Sequence, residues 1–267
     1  MPSSSRKQID VRLDDRPAGR IVTVIIDDPA RLNAMNGALM DEFAQVFSDL
    51  GADSQLRAVV LTGAGERAFV GGADIDEMAA LSGPDAARAF ITRVHLCCEA
   101  VRALPVPVIA RIQGYCFGAG LELAAACDLR VAAEGAQLGM PEVRLGIPSV
   151  VEAALLPGLV GWGRAREILL LGETFSAAKA LEWQLVEAVV PAGDLDAAVE
   201  TWLGQLLACA PGAVRRQKAL IRAWEDLPLK AAIAAGVDAF AASFETSEPA
   251  AVMGEFLAAQ AARKMAR

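Results

Sequence analysis

His95 is the only histidine in the chain, so a metal site built from several imidazoles is excluded. It falls within a helical stretch and reads as a partly exposed structural residue. No G-x-S-x-G elbow occurs, which weakens a serine-hydrolase reading. A G-x-x-x-x-G-K-[ST] segment is also missing, so a P-loop is excluded. The five cysteines, Cys97, Cys98, Cys116, Cys127 and Cys209, include no C-x-x-C pair. Such an odd, scattered set in apolar surroundings reads as reduced core thiols in a cytoplasmic compartment. No apolar run reaches membrane-spanning length. Residues 1–7 have a basic start with no apolar core behind it, as expected of a polar tail and not of a secretory signal. Basic clusters are lacking as well. The net charge of −8 argues against a nucleic-acid surface, because neutralising phosphates takes grouped Lys and Arg. An anionic ligand stays compatible, since local backbone amides can outweigh a global charge.

What is present is a long, apolar chain of 267 residues, 54% hydrophobic. That suffices for one large globular domain, alone or with a helical appendage. A β-branched run over 21–26 stops at Asp27-Asp28-Pro29 and predicts a strand. Helical spacing follows over 38–50, closed by Gly51. A short, wholly apolar strand is predicted over 58–62, another buried strand over 106–112 and a third at 129–131. A long amphipathic helix over 85–104 ends at Pro105 and Pro107. This alternation implies α/β architecture with both sheet faces covered. Beyond Gly161 only helices are predicted, over 164–171, 176–185, 195–207, 213–224, 229–244 and 250–265. Ser176 reads as an N-cap, while Pro191 and Pro211 mark breaks. The Ala- and Leu-rich faces of these helices need a partner, either the first domain or another subunit.

Two glycine loops each follow a buried strand and open toward a helix: Gly71-Gly72-Ala73-Asp74-Ile75 and Gly114-Tyr115-Cys116-Phe117-Gly118-Ala119-Gly120. First-turn amides lack intrahelical partners and attract an anion, or an oxygen that becomes negative during reaction. A phosphate cradle, an oxyanion hole and plain tight packing all use this geometry. A dinucleotide fingerprint is disfavoured, because Leu123 stands at its third glycine and Glu122 would oppose a pyrophosphate. Glu122 and Glu142 are carboxylates in apolar, glycine-punctuated surroundings, where desolvation favours the neutral form. Two such groups suggest proton traffic. Asp74 and Asp76 lack the regular oxygen spacing of a calcium site.

The string Ala68-Phe69-Val70-Gly71-Gly72-Ala73-Asp74-Ile75, with Gly114 through Ala124, resembles the enoyl-CoA hydratase/isomerase (crotonase) family. Arg31-Leu32-Asn33-Ala34-Met35, Cys127-Asp128-Leu129-Arg130, Leu138-Gly139-Met140-Pro141-Glu142-Val143 and Gly172-Glu173-Thr174-Phe175-Ser176-Ala177 extend the match over about residues 10–260. The resemblance implies an α/β fold with a ββα spiral catalytic core over 1–195. A helical C-terminal region over 196–267 would build homotrimers or homohexamers. It also implies that the amides of Ala73 and Ala119 hold the thioester oxygen of an acyl-CoA. Glu122 would activate water and Glu142 deliver a proton. CoA would lie near Leu32 and Ala34 with Ala73, Asp74 and Ile75, and Gly118 joins the substrate-binding set. No metal and no cofactor beyond the CoA of the substrate is implied. The activity implied is hydration of a trans-2-enoyl-CoA, with enoyl-CoA isomerisation, thioester hydrolysis or decarboxylation as alternatives on the same hole. A noncatalytic acyl-CoA-binding scaffold and a dehydrogenase are the rivals from other classes.

The chain departs from that family where relatives often carry a glycine-rich segment ending in Gly-Gly-Thr-Gln-Arg-Leu. Here Ser149-Val150-Val151-Glu152-Ala153-Ala154 predicts a helix capped by Ser149, with Glu152 completing a capping box. Glu152 as a third acid near the site is the other reading. Ala258-Ala259-Gln260 also stands where relatives often carry a charged run, so a CoA-phosphate contact there is expected to be weakened or moved to Arg263 or Lys264.

Overall fold

A computed structural model describes residues 9–265; the polar tail expected over 1–7 lies outside them. The chain divides into two compact units between Leu203 and Gly204.

The first unit opens with strand β1 (Ile9–Arg16), paired antiparallel with β2 (Gly19–Ile26). Helix α1 (Gly37–Gly51) follows, its first turn capped by the Asn36 side chain, which accepts from Leu39 N–H at 2.9 Å. Next come β3 (Leu56–Gly63), β4 (Ala68–Val70) and helices α2 (Ile75–Ala79) and α3 (Gly83–Ala103). Strands β5 (Val108–Ile112) and β6 (Tyr115–Phe117) lead into α4 (Ala119–Ala126). Strands β7 (Leu129–Ala133) and β8 (Gln137–Gly139) lead through two 3-10 turns into α5 (Leu156–Leu171). The unit closes with β9 (Thr174–Ser176), α6 (Ala177–Glu182), β10 (Ala188–Val190) and the start of α7 (Leu195–Ala208).

Two sheets alternate along the chain. The larger runs β1-β2-β3-β5-β7-β10, and the smaller runs β4-β6-β8-β9. Each pass of the chain adds one long strand to the first sheet, one short strand to the second, and then a helix. Three such ββα passes, beginning at β3, β5 and β7, form the spiral. Strand β3, inside the larger sheet, is buried at every position except the half-buried Arg57 because both of its faces are covered. On β1, by contrast, Leu13 remains exposed.

Several expectations need correcting. The strands β1, β4, β6, β8, β9 and β10 were not anticipated; five of them span only three residues, too few to display an alternating pattern. Helix α5 begins at Leu156 rather than 164 and bends at Gly161, whose φ is 73°. Cys209 is exposed, so only four of the five thiols belong to the core. Ser176 caps α6 as expected, accepting from Lys179 N–H at 3.3 Å.

The second unit holds α8 (Pro211–Asp226), α9 (Leu229–Ser243) and α10 (Glu248–Met265). Proline at the first position of α8 costs no helical bond. The Glu248 carboxylate accepts from the amides of Gly212 and Ala213 at 2.9 and 3.0 Å, which satisfies that helix start. The Trp224 indole donates to Ala232 O at 2.9 Å and joins α8 to α9. Apolar side chains on α9, including Leu229, Ile233, Val237 and Phe240, remain exposed. No helix among the described residues is long and apolar enough to cross a membrane.

Candidate active site

Strands β4, β6 and β8 are neighbours in the smaller sheet and run parallel. Their carboxyl ends therefore open on the same edge. The chain leaving β4 carries Ala73, that leaving β6 carries Ala119, and that leaving β8 carries Glu142. Topology alone brings together three positions separated in sequence.

The first loop is held open by glycines. Gly72 has a φ of 122°, which disfavours any L side chain, and its α-hydrogen side faces Phe117 O of the second loop. Met35 N–H donates to Gly72 O at 2.9 Å and Asp74 N–H to Met35 O at 3.0 Å. The Ala73 amide between them faces away from this pairing. In the second loop Gly118 turns the chain with a φ of 50°. Leu121 and Glu122 N–H both return to Gly118 O, at 2.8 and 3.0 Å. As first residue of α4, Ala119 has an amide that no earlier turn can accept. Gly120 lets α4 settle against Val70 O of β4, where a Cβ would collide.

Ala73 and Ala119 line one cavity of about 610 Å³ with Ile75, Gly118, Glu122 and Glu142. Glu122, Glu142 and Arg88 are the charged residues in a lining otherwise made of apolar side chains and glycines. Glu122 lies one turn into α4, a helix whose eight residues are all buried. Its Oε1 accepts from Ala153 N–H at 3.3 Å. Its carboxyl is pushed up to about 8, chiefly by burial and next by the adjacent Glu142, with the Ala153 amide opposing the rise and Glu152 adding a smaller part. Glu142 begins the 3-10 turn Glu142–Leu145. Its Oε2 accepts from Ser149 Oγ at 2.7 Å. Arg144, two residues on, pairs with Glu173 and donates to Leu171 O.

Leu32, Ala34 and Asp74 do not line the cavity; they support its rim. Leu32 O accepts from Gly71 N–H at 2.8 Å. Leu32 and Asn33 both have left-handed backbones, with φ of 59° and 58°, a conformation Asn tolerates better than most residues. Asn33 is fully buried; its amide donates to Ala64 O and Ala68 O at 3.0 and 2.9 Å, and its oxygen accepts from Asp28 N–H at 3.0 Å. Asp74 caps α2 by accepting from Glu77 N–H at 3.0 Å and pairs with Arg31 at 2.9 Å. Arg31 also takes Asp76 at 2.7 Å. Both aspartates are thus engaged by a cation of the chain itself. No cluster of three or more metal-ligating side chains occurs among the described residues.

The chain matches the profile of the enoyl-CoA hydratase/isomerase family over residues 17–260, most of its length. It belongs to the enoyl-CoA hydratase/isomerase family. As a member it is an enzyme, and its fold is the crotonase fold. It is 34% identical to the short-chain-enoyl-CoA hydratase of Clostridium acetobutylicum, across 90% of this chain and 92% of that one. It is 33% identical to the crotonyl-CoA hydratase of Syntrophomonas wolfei, across 89% and 92% respectively. Its fold superposes on the crystal structure of enoyl-CoA hydratase from Bacillus anthracis with a TM-score of 0.87 at 32% identity, covering 93% of this chain and 95% of that one.

Three features of this family member escaped sequence reasoning. Asn33 stands in the motif with no role of its own, although a polar residue between Leu32 and Ala34 is a signal of a satisfied buried amide. Ser149 was read as a helix cap, but its hydroxyl is spent on Glu142. The corresponding helix start is instead the 3-10 turn Val151–Leu155, which has no side-chain cap. Glu152 closes no capping box: it is buried and bonded to His95 at 2.8 Å. No signal within the segment could have paired it with a residue 57 positions away.

Proposed function

We propose that this enzyme is a hydro-lyase that adds water across the C2=C3 bond of a trans-2-enoyl-CoA. The observation that carries the reading is the pair Glu122 and Glu142 in one apolar cavity, beside the two loop amides. The amide N–H groups of Ala73 and Ala119 donate to the thioester oxygen and polarise the carbonyl. Polarisation makes C3 electrophilic and stabilises the enolate formed when water adds; each such donor lowers the barrier by roughly 3 kcal/mol. Water sits between the two acids. One carboxylate takes a proton from the water as oxygen bonds to C3, and the other acid gives a proton to C2. The pair therefore needs one proton between its members.

Burial favours the neutral form at Glu122, so in the empty cavity the shared proton resides there. The division expected from sequence, with Glu122 as the base, needs that proton to pass to Glu142 once substrate and water enter. The two-acid scheme itself does not depend on which member holds it at rest. Isomerisation needs a single base moving a proton between C2 and C4, and leaves the second acid without work. The hydratases among the relatives favour the same choice.

The CoA portion would extend past the rim carried by Leu32 and Ala34, and no further cofactor enters the scheme. The uncovered apolar face of α9 supports assembly into trimers or hexamers, and the buried free thiols suit a cytoplasmic compartment. Mixing the protein with crotonyl-CoA and following loss of the conjugated-thioester absorbance tests the reading. Turnover should collapse in both Glu122→Gln and Glu142→Gln. Unchanged absorbance with the unaltered chain, or normal turnover in either variant, would end it.

A further inference from the structure

Glu152 is a carboxylate beside Glu122 that no step of the hydration uses. It is 7% exposed, and its Oε1 stands 2.8 Å from Nδ1 of His95 on α3. Facing a carboxylate, Nδ1 carries the hydrogen and donates. The other oxygen, Oε2, is buried and has no hydrogen-bond partner among the described residues. Burying a carboxylate in this manner is unfavourable, and the imidazole is the side chain that offsets it.

Glu152 belongs to the turn Val151–Leu155. Val151 enters it at a φ of 40°, in a left-handed conformation that a β-branched residue resists. An uncapped turn with such an entrance keeps its shape only where its surroundings impose one. The Glu152–His95 bond ties it to α3. From the next residue, Ala153 N–H reaches Glu122 Oε1 at 3.3 Å. The same short segment holds Glu142 through Ser149 Oγ at 2.7 Å. One stretch of five residues thus touches both acids of the cavity, and the side-chain bond that joins it to α3 is made by a histidine.

We propose that His95 is a positioning residue for the hydration, acting through Glu152 to fix the turn whose Ala153 amide orients Glu122. His95 does not line the cavity and touches no reacting atom. Its loss therefore lowers turnover and leaves substrate affinity in place. The inference rests on the hydration reading of the same cavity.

Hydration of crotonyl-CoA by the full chain with three substitutions at position 95 tests it. Asparagine places its amide nitrogen where Nδ1 stood, glutamine places it where Nε2 stood, and alanine supplies neither. His95→Ala and His95→Gln should lower kcat about tenfold with KM within about twofold, as small misplacements of a reacting group do. His95→Asn should keep about half of the original kcat or more, and His95→Ala combined with Glu152→Ala should be no worse than either alone. Wild-type kcat in His95→Ala, equal losses in the Asn and Gln variants, or a loss confined to KM would each overturn the proposal. Should His95→Ala not fold, the contrast between Asn and Gln still decides. Failure of the hydration reading is told apart because it shows in the unaltered chain, which would then leave crotonyl-CoA untouched.

Discussion

Oε1 of Glu142 occupies the space that a Cβ on Gly118 would need. The residue that opens the second loop and the acid that closes the cavity are therefore matched in shape. Gly118 has two reasons to lack a side chain: its φ of 50° and this carboxylate. Gly146 makes the natural comparison, since its φ is 83° but open space surrounds its missing Cβ.

Gly118→Ala should displace Glu142 and lower kcat about 100-fold, the scale expected when a reacting group is misplaced by an ångström. Gly146→Ala should cost about 1–2 kcal/mol of stability through its backbone alone and leave kcat nearly unchanged. Steady-state hydration kinetics and thermal unfolding of both variants check this. Equal kinetic losses would show that backbone strain, and not the carboxylate, is the reason for glycine at 118.

The Glu122 carboxyl titrates near 8 in the folded chain, against an ordinary 4.5. A raised folded value means that the folded state binds the proton more tightly than the unfolded chain. That contribution to stability is fully present below about pH 4.5 and is lost as pH rises through about 8. Glu122→Gln does not titrate, so it should gain on the original protein by on the order of 4 kcal/mol between those limits. Denaturant unfolding at acid and alkaline pH measures the gap. A gap that is flat with pH would show that Glu122 is not buried as described. The kcat/KM of the original enzyme should also decline above about pH 8, where the pair loses its shared proton.

Ser149→Ala removes the hydroxyl that donates to Glu142 Oε2. A hydrogen bond to a charged group contributes roughly 1.5–3 kcal/mol, so kcat should fall about tenfold or more, with KM changing little. Ser149→Thr, which retains a hydroxyl, should lose less. Equal activity in the Ala variant and the original enzyme would mean that Glu142 needs no such hold.

Asn33→Ala removes the donor to Ala64 O and one of two donors to Ala68 O, which keeps Gln113 Nε2 at 2.7 Å, and it takes away the oxygen that accepts from Asp28 N–H. The expected loss is about 2–4 kcal/mol in denaturant unfolding. Asn33→Gly keeps the left-handed backbone but not the bonds, and should recover about 1 kcal/mol at most. Full recovery by glycine would assign the role of Asn33 to its backbone conformation alone.

The long elements were legible because their patterns extend over several periods. The β-branched run of β2, the apolar run of β3 and the helical spacing of α1 and α3 each declare their state without neighbours. The acids Glu122 and Glu142 were legible for a related reason, being charges in segments otherwise fit for burial. The short strands β4, β6 and β8 were not, because three residues carry no periodicity and such strands exist only by pairing. Yet these strands aim the site. Ser149 and Glu152 show the complementary error: their spacing satisfies a local capping rule, but their side chains found stronger partners in Glu142 and His95.

By itself the sequence determined the long buried strands and helices, the two glycine turns, and the placing of Glu122 in apolar surroundings, since each follows from a residue and its near neighbours. Only the tertiary structure decided that Ala73, Ala119 and Glu142 leave one edge of one sheet, that Ser149 serves Glu142, and that His95 reaches Glu152. Those outcomes depend on which distant segments pair, and pairing is settled by the packing of the whole core.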